Sequence, residues 1–405
     1  MRPIKMDLSS PGFKASPLAE VQRLQNHGSV IPINFPFMGR MWGVTRAEPA
    51  EYVLTHNQLF VSEPKNAGQP NRMLIPRWMP HSIKAMADNI VVKDDPDHRR
   101  LRGLVDKAFA KRSVLDLQGT FQDLAAQLKG DLDRRIAADG QADLIEHISK
   151  PLPVLALVEM LGLPPQDIDK FRGWSEAFAE LKGLFSFLAA TRSVGHIRRY
   201  VQELVEVRRD VPGEGLIAQL IAAEEAGDKL STDELSTTLT VLMFAGFETT
   251  THLINGAIWA LGEHEHVREE LQADSGRIDA FLDETLRWIS PFTVTKPRFV
   301  AQDQVLDGQQ LKQGEMILPM IICANYDDQR FDQPERFVMD RPHAKRHLSF
   351  GTGIHNCLGR ILARAEAKAV IQALLAEPNF YRVQQPSWAA RMGSRNMSGL
   401  VLSAG

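Results

Sequence analysis

Residues 350–359 read FGTGIHNCLG, and this short stretch decides which fold we expect. It holds Cys357, one of only two cysteines in 405 residues, together with three glycines and His355. A helix is predicted to begin near Leu358, so its unpaired amides and the positive end of its dipole would face the sulfur. The glycines, at 351, 353 and 359, would let backbone amides and a flat partner approach without a Cβ clash.

A thiolate is a metal ligand, whereas a thiol is a poor one. Because only one cysteine is present in this loop, a zinc or iron–sulfur site would lack its other thiolates. A single thiolate suits an iron whose equatorial ligands come from a porphyrin. The other interpretation, a buried structural cysteine in a glycine loop, does not account for Phe, three Gly, His and Cys at these spacings.

Bulk composition is that of an ordinary globular protein. Apolar residues make up 44% and charged residues 24%, and the formal net charge is −3. This charge does not indicate a nucleic acid or an anionic membrane as partner. Two cysteines make no disulfide framework and fit a reducing compartment. The first residues have no continuous apolar run, so we expect a cytoplasmic protein without a membrane anchor.

Helix signals fill the middle of the chain, and strand signals lie near its two ends. Apolar residues recur at helical spacing in residues 98–114, 278–289 and 358–377. Weakly alternating runs predict strands in residues 28–35 and 41–46, and runs joined by Asp307-Gly308 and Gln313-Gly314 turns predict short strands in residues 297–325. Residues 396–402 are predicted to add one more strand. We therefore expect a mainly α fold with small β-sheets (α+β), forming one domain over 1–405. Its helical body would cover about 95 to 290 and 358 to 377.

One predicted helix is unusually long. Ser231 and Glu234 form a capping-box signature, and the apolar run after them reaches about Leu261. About 30 residues of helix span roughly 45 Å, enough to cross a whole domain. Within it lies AGFETTT, residues 245–251, where the Thr249 hydroxyl is expected to bond back to the Ala245 carbonyl. A glycine and an acid in an apolar helix are costly, and together with Thr249 they would open a local gap in the helix.

The pattern F-G-x-G-x-H-x-C-x-G resembles the haem-binding loop of the cytochrome P450 family, and the resemblance extends from about residue 30 to the end. It implies a long central helix over the haem and the cysteine loop beneath it. Cys357 would be the axial thiolate of haem b, Phe350 would lie beside the sulfur, and Gly351 and Gly359 would flank the loop. AGFET is similar to the family's A-G-x-[DE]-T element. Ala245 and Gly246 would then form the oxygen groove, and Glu248 and Thr249 would relay protons.

Further motifs agree with this resemblance. ETLR supplies Glu284 and Arg287, which match the family's E-x-x-R pair, and the later FDQPERF supplies Arg336, which is expected to lock onto that pair. These three residues would be structural. The resemblance also implies that four basic residues hold the haem propionates, namely His98, Arg102, Arg298 and His355.

The substrate pocket is expected to be apolar. Residues before the oxygen groove and after the E-x-x-R helix would line it, namely Leu242, Met243, Phe244, Phe292, Val294 and Thr295. Residues 72–86 and 178–188 would form a lid. The predicted substrate is an apolar small molecule such as a terpenoid, a steroid, a fatty acyl chain or an aromatic compound. Arg72, Arg77 and Lys84 fit a solvated loop better than a carboxylate site.

Two electrons would come from NAD(P)H through a reductase and a separate ferredoxin or flavodoxin. An acidic carrier would be attracted to a basic face on the thiolate side. That face would comprise Arg99, Arg100, Lys107, Lys111, Arg112, Arg360 and Arg364. A solvated helix surface is the alternative for these residues.

Two other functions remain open at this point. The same haem fold could use peroxide, or carry out oxidative coupling or dehydration. The presence of both Glu248 and Thr249 favours dioxygen instead. A non-catalytic haem-binding sensor or carrier is the second alternative, and the intact oxygen groove argues against it.

Overall fold

The structure is a computed structural model. It describes residues 2–35, 38–70, 72, 89–111, 116–170, 173–174, 184–211, 213, 215–225, 231–377 and 379–405, with the backbone alone at 107–111, 165, 184–191, 223–225 and 244. The α-helices of this part are α1 Pro11–Ala15, α2 Leu18–Gln25, α3 Ala47–Thr55, α4 Asp97–Lys111, α5 Gln118–Asp139, α6 Pro151–Leu161, α7 Leu184–Asp210, α8 Leu216–Glu225, α9 Thr232–Glu263, α10 Glu265–Ala273, α11 Ile278–Ile289, α12 Ile321–Asn325 and α13 Arg360–Leu375.

The strands are short and belong mostly to the two ends of the chain. They are β1 Val30–Phe35, β2 Gly39–Val44, β3 Phe60–Val61, β4 Gln141–Asp143, β5 Arg298–Val300, β6 Gln304–Leu306, β7 Gln309–Leu311, β8 Met316–Pro319, β9 Arg382–Val383, β10 Ser387–Trp388, β11 Met397–Gly399 and β12 Val401–Ser403. The main sheet has the order β1-β2-β8-β5-β3, with β2 and β8 parallel and the other pairs antiparallel. A three-stranded sheet has the order β4-β12-β9, and β6-β7 and β10-β11 are two-stranded. The predicted mainly α fold with small sheets is confirmed.

Helix α9 forms the centre of the helical body. It begins at the predicted cap, where the Ser231 hydroxyl accepts from the Glu234 amide and the Glu234 carboxylate accepts from the Ser231 amide. Its 32 residues span about 48 Å. It packs against α6, α7, α11 and α13, so it lies within one large apolar core and holds residues 245–251 at mid-length.

The apolar core has a helical part and two smaller parts beside the main sheet. The helical part joins α5, α6, α9, α11 and α13. The smaller clusters lie on the main sheet and include Phe299 in one and Phe60 in the other. Loop 349–359 precedes α13 and contacts both regions. Phe350 and Leu358 pack against the helical part, and Gly353 lies beside Leu54 of a sheet cluster.

Candidate haem-binding site

A cavity of about 410 Å³ lies between loop 349–359 and helix α9. Cys357 lines it from the loop, and Ala245, Gly246 and Thr249 line it from the helix. Its other walls are mostly apolar and come from α6, from residues 90–91 and from residues 291–295. The sequence-predicted ligand and the predicted oxygen groove therefore face one space.

Cys357 is held at the base of this cavity by backbone contacts. Its amide donates to the Phe350 carbonyl at 2.8 Å, which closes the loop on itself. Burial raises the pKa of the Cys357 thiol, while the Gly359 amide and the cations Arg102 and Arg360 partly offset that rise. A bound metal ion deprotonates a coordinating thiol, so these groups would stabilise a thiolate once iron is present. Helix α13 begins at Arg360, two residues later than predicted.

Two loop glycines have a conformation that other residues rarely adopt. Gly351 has φ of 64° and Gly353 has φ of 73°, both in the left-handed region. A Cβ on Gly353 would also overlap the Leu54 carbonyl oxygen at the end of α3. Gly359 has open space where its Cβ would be, on the cavity wall. The glycines thus set the turn and leave room beside the thiol.

Basic side chains gather at one side of the cavity. All four predicted propionate ligands line it, namely His98, Arg102, Arg298 and His355. The rings of His98 and His355 are 4.2 Å apart between centroids. Burial and the surrounding cations lower the pKa of both histidines, and Asp95 partly offsets this shift at His98. Burial also lowers the pKa of Arg298 to about 10, and that guanidinium stays charged at neutral pH.

Lys296 belongs to the same group, and sequence analysis missed it. Its ammonium donates to the Ser62 hydroxyl at 2.9 Å and to the Val91 carbonyl. The Arg298 guanidinium donates to the same hydroxyl at 2.6 Å. Burial, together with the nearby Arg298, lowers the pKa of Lys296 well below its usual value. Because alternate residues of an extended segment share a face, the spacing from Arg298 was a usable signal.

The residues present fit a haem. His98 Nε2 and Arg298 Nε are buried and have no hydrogen-bond partner among the described residues. Buried polar atoms in proteins are almost always satisfied, and Arg298 Nε can only donate, so it indicates an acceptor that the chain itself does not supply. Two propionate groups would supply it at the basic side of the cavity. The apolar walls would receive the porphyrin plane, and Cys357 would bind its iron.

Thr249 adopts the predicted conformation. Its hydroxyl donates to the Ala245 carbonyl at 2.8 Å, so that carbonyl is shared between the helix and a side chain. A Cβ on Gly246 would lie 2.9 Å from Leu157 Cδ2, so the glycine lets α6 pack closely against α9. The oxygen lone pairs of Thr249 remain available toward the cavity.

Glu248 was predicted to lie with Thr249 at the oxygen groove, but its side chain does not line the haem cavity. Successive helical residues point about 100° apart, so Glu248 lines a neighbouring cleft while Thr249 lines the cavity. There Glu248 pairs with Arg391, and His252 Nε2 is 3.8 Å from its Oε1. Burial opposes ionisation, but His252 and Arg391 outweigh it and lower the pKa of Glu248. The acid and the alcohol are therefore adjacent in sequence but face different spaces.

The E-x-x-R pair has a different partner from the one predicted. Glu284 accepts from Arg287 Nε and Nη2 at 2.8 Å each, and both side chains are fully buried. Arg341 Nε donates to Glu284 at 3.0 Å, whereas Arg336 is exposed and donates to Gln333. The prediction that the Arg336 side chain binds the Glu284–Arg287 pair was wrong. Its backbone carbonyl, however, accepts from Arg287 and Arg341.

Two predicted pocket residues point away from the cavity. Met243 packs in the helical core with Phe247, because residues 242, 245, 246 and 249 occupy the cavity face of α9. Val294 lines the neighbouring cleft and packs against a sheet cluster. Leu242, Phe292 and Thr295 line the cavity as predicted. Apolar walls that sequence analysis missed include Ile90, Leu157 and Leu253.

Several predicted residues lie outside the described residues. Of the lid, the structure describes Arg72 and the backbone of 184–188, while 73–86 and 178–183 fall outside. Arg77, Lys84 and Arg112 fall outside as well, as do the side chains of Phe244, Lys107 and Lys111.

The predicted basic face is less positive than its sequence indicates. Arg99 pairs with Asp95 at 2.7 Å, and Arg100 pairs with Glu234. Arg364 pairs with Asp279 and Asp283 on α11. Arg360 is exposed, and its hydrogen bond goes to the neutral Asn356 side chain at 3.2 Å.

Comparison with known proteins agrees with this geometry. The sequence model of the family described as Cytochrome P450 matches residues 188–387. A cytochrome P450 of Bacillus subtilis (strain 168) is 32% identical over 404 residues, which cover 98% of this chain and 96% of that protein. The chain belongs to the cytochrome P450 family. Cytochrome P450 monooxygenase PikC of Streptomyces venezuelae is 32% identical to this P450, over 92% of this chain and 87% of PikC.

The fold of this P450 matches solved structures over nearly its full length. Myxobacterial cytochrome P450 CYP267B1, solved in complex with myristic acid, has a TM-score of 0.85 and 29% identity, and the match covers 98% of each chain. This P450 is a haem-dependent monooxygenase that uses dioxygen. Within the described ranges, no helix is long and apolar enough to cross a membrane.

Proposed function

We propose that this P450 hydroxylates an apolar small molecule, with two electrons delivered by a separate ferredoxin or flavodoxin from NAD(P)H. The observation that carries the proposal is that Cys357 and Thr249 line the same largely apolar cavity. The relative CYP267B1, whose structure was solved with myristic acid, supports a fatty acyl chain as one candidate substrate.

Cys357 would hold the iron, and haem bound there supplies the activation of dioxygen. The Phe350 carbonyl and the Gly359 amide keep the cysteine backbone and its sulfur in place. His98 Nε2 and Arg298 Nε, which are buried without a partner among the described residues, would bind the propionates together with Arg102 and Lys296. These contacts would fix the porphyrin plane relative to α9.

Thr249 would take part in proton transfer at the oxygen groove. Its hydroxyl proton is already donated to the Ala245 carbonyl, so the Thr249 oxygen is set to accept a hydrogen bond from water in the cavity. Glu248 would supply protons from the cleft side. To do so it must leave Arg391, since the ion pair favours the charged carboxylate that has no proton to give.

Apolar side chains would exclude bulk water from the reacting centre and bind the substrate. Leu242 and Leu253 on α9 and Phe292 on the loop after α11 line this part of the wall. Placing the substrate beside Thr249 in a dry space would favour hydroxylation of the substrate over reduction of dioxygen to peroxide or water without product.

Electron delivery would occur on the thiolate side. Arg360 is the first residue of α13, three residues after Cys357, and is exposed. An acidic carrier protein would approach this surface by electrostatic attraction, even though Arg99, Arg100 and Arg364 carry carboxylate partners.

The test is a comparison of electron sources with the haem-loaded protein. Product should form with NAD(P)H, a reductase and ferredoxin, and only weakly with hydrogen peroxide alone. Cys357→Ser should lose the thiolate signature in the reduced carbon monoxide spectrum, whereas Cys323→Ala, at a buried cysteine outside the cavity, should keep it. A thiolate spectrum in Cys357→Ser would refute the assignment of the iron ligand.

A further inference from the structure

A cleft of about 360 Å³ adjoins the haem cavity. The two spaces share Phe292, Thr295 and Lys296 as wall residues, so they are adjacent, with these side chains between them. Phe292, one of these shared residues, is 37% exposed. The remaining wall includes Glu248 and residues 391–394. A molecule that spans both spaces would pass Phe292.

Segment 391–395 is fastened to the wall of the haem cavity. The Thr293 amide donates to the Gly393 carbonyl at 3.0 Å, and the Arg395 amide donates to the Pro291 carbonyl at 2.9 Å. These bonds hold Arg391 at the cleft, where its side chain remains 28% exposed. The guanidinium donates to Glu248 Oε1, and its other donors remain accessible from the cleft.

The surroundings of Arg391 carry an excess of positive charge. Lys14 and Arg395 are buried nearby and bind neutral acceptors: Lys14 Nζ donates to Asn396 Oδ1 at 2.8 Å, and Arg395 Nε donates to the Lys14 carbonyl at 2.9 Å. Burial, reinforced by Arg391 and Arg395, lowers the pKa of Lys14 to about 8. Among the described residues that line the cleft, Glu248 is the one carboxylate.

The other titratable side chains near the cleft, Lys296 and His252, are bases and do not neutralise Arg391. Lys296 directs its ammonium to the Ser62 hydroxyl and the Val91 carbonyl, on the propionate side. His252, one helical turn after Glu248, has both ring nitrogens buried without a hydrogen-bond partner among the described residues. Arg391 thus has two buried cations, Lys14 and Arg395, close behind it, and a second anion in the cleft would offset the repulsion among the three.

We propose that this cleft binds the carboxylate of an amphipathic substrate, with Arg391 as the residue that recognises it. The apolar part of the substrate extends past Phe292 into the haem cavity. The substrate carboxylate competes with Glu248 for the guanidinium of Arg391. This inference rests on the proposed hydroxylation of an apolar substrate and specifies the polar end of that substrate.

Competition for Arg391 has a consequence for Glu248. When the substrate carboxylate takes the guanidinium, Glu248 loses its cation and gains a neighbouring negative charge. Both changes favour the protonated form. A carboxylate-bearing substrate thereby raises the fraction of Glu248 that holds a proton for delivery toward Thr249.

Equilibrium binding tests the proposal without turnover. Dodecanoate, dodecan-1-ol and methyl dodecanoate are titrated into the haem-loaded protein, and binding is followed by calorimetry and by spin-state shift. The wild-type protein should bind dodecanoate about tenfold more tightly than the alcohol or the ester, as expected for a charge-assisted hydrogen bond. Arg391→Gln should abolish that preference and leave alcohol binding unchanged, and Arg391→Lys should keep part of it.

A second variant should change the affinity for dodecanoate in the opposite direction. Glu248→Gln removes the competitor of the ligand, so dodecanoate should bind several-fold more tightly while the alcohol does not change. The matched control is Arg72→Gln, because Arg72 stacks over Phe299 and donates to Gln69, away from the cleft. It should leave the preference intact.

Equal binding of dodecanoate and dodecan-1-ol by the wild-type protein overturns the proposal, as does the absence of binding by both. So does an unchanged preference in Arg391→Gln, or weaker dodecanoate binding in Glu248→Gln. Failure of the haem-thiolate assignment would appear instead in the reduced carbon monoxide spectrum, which these variants leave unaltered.

Discussion

Arg341 Nε lies 3.0 Å from Glu284 Oε1, and both side chains are almost fully buried. Glu284 also accepts from Arg287 and from the Val338 amide, so one carboxylate fixes three points of the chain. The guanidinium of Arg341 in turn donates to the carbonyls of Asp332, Gln333 and Arg336. This network holds the segment that leads into the cysteine loop.

Removing Arg341 should destabilise the protein strongly. Arg341→Ala leaves Glu284 as a buried carboxylate with one cation fewer, and this should cost about 3–5 kcal/mol of unfolding free energy. Arg336→Ala is the matched control, because the Arg336 side chain is exposed and its backbone carbonyl is kept. It should change stability by less than about 0.5 kcal/mol. Urea unfolding measures both, and equal losses would contradict the assignment of Arg341.

Thr249→Ala should separate substrate binding from product formation. The variant loses the hydroxyl at the oxygen groove, and product formation should fall by about a hundredfold while substrate affinity stays the same. Thr240→Ala is the control, since Thr240 donates to the Ser236 carbonyl at 2.7 Å on the same helix and lies outside the cavity. Product formed per NAD(P)H consumed is the measurement. Equal losses in both variants would show that only the helix backbone matters.

Glu366 should make the protein less stable as pH rises. Its side chain is fully buried on α13, and burial raises the pKa of its carboxyl to about 8 from an ordinary value of 4.5. Between those values the folded state binds more protons than the unfolded state. Stability therefore falls as pH increases through this window, by up to about 1.4 kcal/mol per pH unit.

Glu366→Gln removes the titrating group while keeping the shape of the side chain. Urea midpoints measured from pH 5 to pH 8 should fall less steeply in the variant, which should be the more stable protein at the alkaline end. Parallel curves for the two proteins would mean that Glu366 does not titrate in this range.

Charge reversal at Arg360 should slow electron delivery. Arg360→Glu should lower the rate of reduction by ferredoxin by about tenfold at low salt. The effect should be weaker at high salt, because dissolved ions screen the attraction between the two proteins. Arg134→Glu, an equally large charge change at an exposed site on α5, is the control. Carbon monoxide spectra should be unchanged in both. Identical reduction rates in the two variants would refute docking at Arg360.

Local sequence patterns predicted the elements well. Helix α11 has the predicted bounds, 278–289, because its apolar periodicity is strong and a 3₁₀ turn precedes it. The capping box of α9 and the bond from Thr249 to Ala245 depend on residues three and four positions apart, so they could be derived without tertiary structure.

Contacts between distant segments could not be predicted in the same way. Arg341 is 57 residues from Glu284, and Arg391 is 143 residues from Glu248. Arg336 and Arg341 both lie near the end of the same irregular segment, and only the path of the backbone decides which of them turns inward. Met243 was predicted on the wrong face because the rotation of α9 about its axis is set by packing against α6 and α7.

The contact between the buried Glu284 and Arg341 joins residues 57 positions apart, and the cysteine loop, 349–359, starts eight residues after Arg341. Closing a loop of this length lowers the chain entropy before the contacts made across it can offset that cost. The cysteine loop must also meet α9, about a hundred positions earlier in the sequence. The haem site should therefore be among the last parts of the molecule to form during folding. A newly made chain would then pass through a nearly complete helical body that is not yet able to bind its cofactor.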